Sequence, residues 1–193
     1  MKEKRLFLEA DAALREVINS LSPEQFARPV PQEWSRASSP TIRDVVASHA
    51  YDEAWVPDTL AGRTIDEVGD KYAGDLLGDD PIGNYNRFND AATDAVAADV
   101  LPDVVHLTYG DYPIEEYLEH VTYYRAFQAW AIARYVGNEY HLTDDLVDGL
   151  WELVDLHLDD LRSIGVFPPE IEIPQDSSKE EKLLARVGFW LPS

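Results

Sequence analysis

The sequence contains no cysteine. That excludes a disulfide framework, a thiol nucleophile and thiolate zinc sites, and it fits a reducing compartment. No apolar run approaches the roughly 20 residues that cross a bilayer as a helix. The first turns carry Glu3, Glu9, Asp11 and Glu16, which break up the apolar core a signal peptide needs. A cytoplasmic location and no membrane partner are therefore expected. Positive charge is scarce too: 16 Lys and Arg stand against 37 Asp and Glu, a formal net charge of −21. Nucleic-acid binding draws on Lys and Arg that displace counterions from phosphates, so nucleic acid is a poor partner. A field of this sign repels phosphate and anionic lipid, steers cations or metal towards the protein, and favours solubility.

What is present is an ordinary globular composition: 193 residues, 45% hydrophobic and 27% charged, enough for one domain over 1–193. Phe7, Ala10, Leu14, Val17 and Leu21 form one helical stripe. Ser22, Pro23 and Gln25 form a capping box for a short second helix, stopped by Pro29 and Pro31. Arg28 to Pro40 reads as a loop that buries Trp34. Thr41 and Asp44 open a long helix with the stripe Ile42, Val45, Val46, His49 and Val56, which Pro57 should bend or end. A turn-rich stretch follows, with room for one short helix after Thr64. Asp80-Pro81 starts a helix carrying Tyr85, Phe88, Ala92, Val96 and Val100, closed by Pro102.

Val104 to Leu107 reads as an extended connection, and Gly110 and Pro113 mark a turn. The next stripe is Ile114, Leu118, Val121, Tyr124, Gln128, Ile132 and Tyr135, stopped at Gly137. Thr143 caps a helix with Leu146, Leu150, Val154, Leu161 and Ile164 inward, ended by Gly165. Ser178 with Glu181 begins a last short helix. The expectation is an all-α fold, an antiparallel bundle with long crossover connections and short extra helices.

Chemistry-bearing residues are few. His49 lies on an apolar stripe, so its imidazole should face the interior, as a ligand or as a hydrogen-bonded core residue. Asp52 and Glu53 stand three and four residues on and could share its face. Tyr124 and Gln128 lie four apart on one face of a later helix. Gln128 occupies a position that the pattern assigns to an apolar residue. A buried amide without partners costs about 1–3 kcal/mol, so a facing side chain, a water or a ligand should satisfy it. His120 stands one turn before Tyr124. His106 and His141 should be exposed, and His157 lies near a stripe edge. There is no HExxH, GxSxG, P-loop or GxGxxG after a strand.

Several pieces in order resemble one family. An N-terminal helix ends in Leu21-Ser22-Pro23-Glu24-Gln25-Phe26, followed by a Pro-x-Pro loop and Trp34. Thr41 to His49 is similar to the family's "W…T-V-R-D-L-V-A-H" opening, with one residue inserted before the histidine. Asp79-Asp80-Pro81 and Gly110-Asp111-Tyr112-Pro113 match as well. Phe127 to Arg134 occupies the place of "V-H-x-W-D-L-A-R", and the tail from Pro174 to Gly188 resembles the closing segment. The family is the DinB superfamily, and within it the metal-binding domain of mycothiol-dependent maleylpyruvate isomerases.

This resemblance implies a four-helix bundle with a divalent metal, commonly zinc, and an open position for water or a thiolate substrate such as mycothiol. Carried over by position, the first ligand is His49, while the other two become Tyr124 and Gln128. The aspartate after the family tryptophan becomes Ala131. A phenol and a neutral amide replace carboxylate and imidazole poorly. The expectation is therefore no metal, or a weakly bound zinc or nickel held by His49 with Asp52, Glu53 or His120. The leading functional expectation is a small-molecule ligand in a pocket walled by His49, Tyr124, Gln128 and Trp55 or Trp130. The alternatives are a metal- and thiol-dependent transferase or isomerase, and an acidic interaction protein with a basic partner. A homodimer through helix faces is compatible with such a bundle.

Overall fold

The computed structural model describes residues 1–163, 165 and 167–189. Most of these residues are helical. The long elements are α1 (Lys2–Asn19), α3 (Ile42–Leu60), α5 (Pro81–Ala97), α6 (Ile114–Val136) and α7 (Asp144–Ser163). Short helices α2 (Pro23–Phe26), α4 (Ile65–Val68) and α8 (Lys179–Arg186) lie between and after them. A 3₁₀ turn spans Gln32–Trp34, and one antiparallel hairpin joins β1 (Val104–Leu107) to β2 (Gly110–Pro113). Among the described residues no helix is long and apolar enough to cross a membrane.

The capping signals act where the sequence places them. Gln25 N–H donates to Ser22 Oγ at 3.2 Å while Ser22 N–H donates to Gln25 Oε1 at 2.9 Å. Reciprocal boxes also open α4 at Thr64/Glu67 and α8 at Ser178/Glu181, and at the start of α3 Asp44 Oδ2 accepts from both the N–H and the hydroxyl of Thr41 at 2.8 Å. Each satisfies backbone donors that a helix start leaves without partners. Asp80 caps α5 by accepting from Gly83 N–H at 3.0 Å, and Gly137 ends α6 at φ +84.

α1 packs along α6 and α5, α3 packs on α5, and α7 lies against α1 and α8. Leu6, Leu14, Ile18, Ile42, Val46, Ala126, Ile132, Leu150 and Leu184 sit in one continuous apolar core. A second cluster under the hairpin gathers Phe7, Val56, Val96, Val105 and Leu118. Gly149 lets α1 and α7 touch, because a Cβ there would lie 2.1 Å from Leu6 Cδ2.

Four expectations change. Pro57 neither ends α3 nor stops its last turn, since the helix runs on to Leu60. Val100 is 86% exposed, because α5 stops at Ala97 and Ala98 turns to φ −53, ψ 147. Lys4 Nζ closes that end by donating to the carbonyls of Ala97 and Ala98 at 2.9 and 2.7 Å. Trp34 is only half-buried, with its ring 5.1 Å from that of Tyr135. The extended connection proves to be half of a hairpin with Val105 paired to Tyr112. Ile164, read as inward, lies outside the described residues.

Candidate functional site

Three helices each place a charged residue on a buried face. Asp11 follows Phe7 by one turn on α1, Glu53 follows His49 on α3, and Arg125 follows Val121 on α6. Arg125 Nε donates to Asp11 Oδ1 at 3.1 Å and to Glu53 Oε1 at 3.0 Å, and its Nη2 donates to Glu53 Oε2 at 2.8 Å. Its Nη1 reaches the Val121 carbonyl at 3.2 Å. Thr93 Oγ1 donates to Asp11 Oδ2 at 2.6 Å, and Tyr85 OH to Glu53 Oε1 at 3.4 Å. The guanidinium carbon lies 4.7 Å from the Phe7 ring centre. Burial pushes the Glu53 carboxyl above its usual range, while Arg125 pulls it down and Asp11 adds to the rise. Glu53 thus serves as a partner of Arg125, with both its oxygens bound.

Within one turn of these residues on both helices the picture reverses. His49 is 1% exposed, as its stripe requires, and its ring lies 4.5 Å from that of Tyr124, tilted by 32°. Its Nε2 is buried with no hydrogen-bond partner among the described residues. Burial, reinforced by the charge of Arg125, lowers its pKa to about 3, so the imidazole is neutral at neutral pH. Gln128 Oε1 and the Tyr123 hydroxyl are likewise buried without a partner. Tyr124 is 37% exposed, yet desolvation of its hydroxyl raises the phenol above its ordinary range, and the charge of Asp52 adds to the rise.

Gln128 and Tyr123 border open space. A cavity of about 320 Å³ is lined by Tyr112, Tyr123, Phe127, Gln128, Phe167 and Phe189. A second, of about 350 Å³, is lined by Tyr51, Asp52, Trp55, Tyr117 and His106. Tyr109, His120 and Tyr124 line both, so the two adjoin. Both lie in the size range of small-molecule sites, and their aromatic walls with few polar groups suit one. Trp55 Nε1 is buried without a partner beside the second cavity.

The predicted site residues therefore divide. Tyr124, Gln128, Trp55, Asp52 and His120 line the cavities. His49 lines neither, and contacts them through the Tyr124 ring. Trp130 belongs to the core cluster and lines neither cavity. His120 is partly buried, which lowers its pKa, and its Nε2 lies 3.9 Å from Glu116. His106 and His141 pair with Asp111 and Glu180, each at 2.7 Å, and His157 approaches Glu119 at 3.4 Å.

The residues do not fit the zinc that the resemblance implies. One neutral imidazole faces a phenol held in its protonated form and an amide oxygen. Glu53, the carboxylate one turn on, is bound by Arg125. Among the described residues no three His, Asp or Glu side chains converge as a metal group.

Sequence reasoning did not identify Arg125 and Asp11, nor the hairpin's Tyr109 and Tyr112. The first pair was detectable: a charge on an apolar stripe of each of three helices, with compensating signs. The hairpin aromatics carry no such signal, because only the fold brings Tyr109 to α6. No family model matches the chain, and neither does any curated protein or solved structure.

Proposed function

We propose that this chain is a DinB-type four-helix bundle that lacks a competent metal-ligand set and binds a small organic molecule in the two adjoining cavities beside α3 and α6. Gln128 carries the reading. Its amide oxygen is buried without a donor on the wall of an aromatic cavity. An unsatisfied buried acceptor costs about 1–3 kcal/mol, which a ligand offering a hydroxyl or amine proton would relieve. The order of motifs from Leu21 to Arg134 supports the superfamily, and the mostly helical chain agrees with it.

Titration calorimetry with 2-naphthol, an aromatic body with one hydroxyl donor, tests the reading. One saturable site per chain is expected, weakened about tenfold in Gln128→Leu, the equivalent of ~1.4 kcal/mol. Elemental analysis of protein purified without chelator provides the second arm. Stoichiometric zinc or nickel that a His49→Ala variant loses would overturn the proposal. So would a protein that binds neither 2-naphthol nor the cationic probe named below.

A further inference from the structure

Asp52 is the acidic residue of the second cavity, and it stands in unusual company. It is half-buried on α3, and no group among the described residues donates a hydrogen bond to its carboxylate. Arg125 is the cation whose charge reaches it, yet that guanidinium is already bound to Glu53, Asp11 and the Val121 carbonyl. Tyr109, Tyr117 and Tyr124 line the second cavity together with Asp52. Among the described residues no Lys or Arg lines either cavity. Burial keeps His120 below its ordinary pKa, so it supplies no counter-charge at neutral pH. A carboxylate partly removed from water without a counter-ion of its own is costly, and burial pushes its pKa up to about 6.

Resting on the cavity reading above, we infer that the occupant is an organic cation: an amine or quaternary ammonium whose charge sits against Asp52 between Trp55, Tyr109 and Tyr124, and whose largely apolar body, carrying one hydroxyl or N–H donor for Gln128, extends into the Phe127–Phe167–Phe189 cavity. Aromatic faces attract a cation within about 6 Å of their centres, most strongly when it is shielded from water. The rings available here come from three different elements. Trp55 belongs to α3, Tyr109 to the hairpin turn and Tyr124 to α6. The first cavity begins where the second ends, at Tyr109, His120 and Tyr124, and its walls are mainly aromatic. The net charge of −21 draws cations towards the molecule from a distance.

Three probes separate this inference from the general one: benzyltrimethylammonium, neutral 2-naphthol and anionic 2-naphthalenesulfonate. The full chain should bind the cation at least tenfold more tightly than the anion, with an affinity that falls as salt rises. Asp52→Asn should weaken the cation about tenfold and leave 2-naphthol within twofold. Trp55→Leu should weaken the cation severalfold. If 2-naphthol binds and the cation binds no better than the anion, the cation inference fails and the cavity reading stands. If Asp52→Asn weakens both probes equally, the counter-ion role is overturned. If no probe binds, both readings fail. Should either variant not fold, the charge preference and salt dependence of the parent protein decide the question.

Discussion

α3 and α6 face each other through two sets of polar residues that differ in nearly every respect. Glu53 and Arg125 form one set with Asp11: opposite charges, fully buried, with hydrogen bonds to carboxylates, hydroxyls and a carbonyl. His49, Asp52, Tyr124 and Gln128 form the other: no complementary charge, buried atoms of His49 and Gln128 without partners among the described residues, and open space beside Asp52, Tyr124 and Gln128. The two sets are separated by a single residue, at 52/53 on one helix and at 124/125 on the other. The first has its requirements met by the protein itself and holds three helices together. The second has requirements that the protein leaves open, which is what a binding site needs.

The sharpest way to break this contrast is Arg125→Met. It leaves Asp11 and Glu53 buried without a cation and should lower unfolding free energy by about 3–5 kcal/mol in urea titrations at pH 7. Replacing all three residues by apolar ones of like volume should recover most of that loss. A single variant as stable as its parent would remove the structural role from this set.

His49 gives the next largest effect. Its folded pKa of about 3 lies below the ordinary 6.5, so the unfolded chain takes up the proton first as pH falls. Stability from the neutral imidazole is present above pH 6.5 and is lost as pH drops towards 3. Asp52 acts in the opposite sense, since its raised pKa makes the folded state the better proton acceptor from its ordinary 3.8 to about 6. Comparing parent with His49→Gln removes the histidine contribution alone. The variant should gain roughly 3 kcal/mol on its parent between pH 7 and pH 4. A pH-independent difference would place the imidazole in water.

Gln128→Leu is the smallest of the three. Removing a buried acceptor that lacks a donor should raise stability by about 1 kcal/mol while weakening 2-naphthol, a trade measured by melting and calorimetry on the same protein. A loss of stability instead would show that the amide has a partner in the folded chain.

Much of the scaffold was legible in the sequence because helix signals are local. A cap and its partner lie three residues apart, so Ser22/Gln25, Thr41/Asp44 and Ser178/Glu181 could be read without any fold. The inward position of His49 followed from its stripe for the same reason. Tyr124 and Gln128 were legible as a pair, but not as cavity wall, because the stripe cannot distinguish a packed face from one bordering space. Pro57 misled since one lost backbone bond does not outweigh the packing of Val56 and Thr59 on either side of it. Val100 misled since the periodic pattern outlasts the helix that carries it.

By itself the sequence determined that the chain is helical, where most helices begin, how acidic the surface is, and that the ligand positions implied by the resemblance hold a phenol and an amide. Only the tertiary structure decided which polar residues meet. Asp11 and Arg125 are 114 residues apart and Glu53 and Arg125 are 72 apart, so their pairing depends on helix packing that no local pattern encodes. The same packing leaves Asp52 beside aromatic rings and without a hydrogen-bonded cation among the described residues, and that difference separates the part that holds the fold from the part we propose as a ligand site.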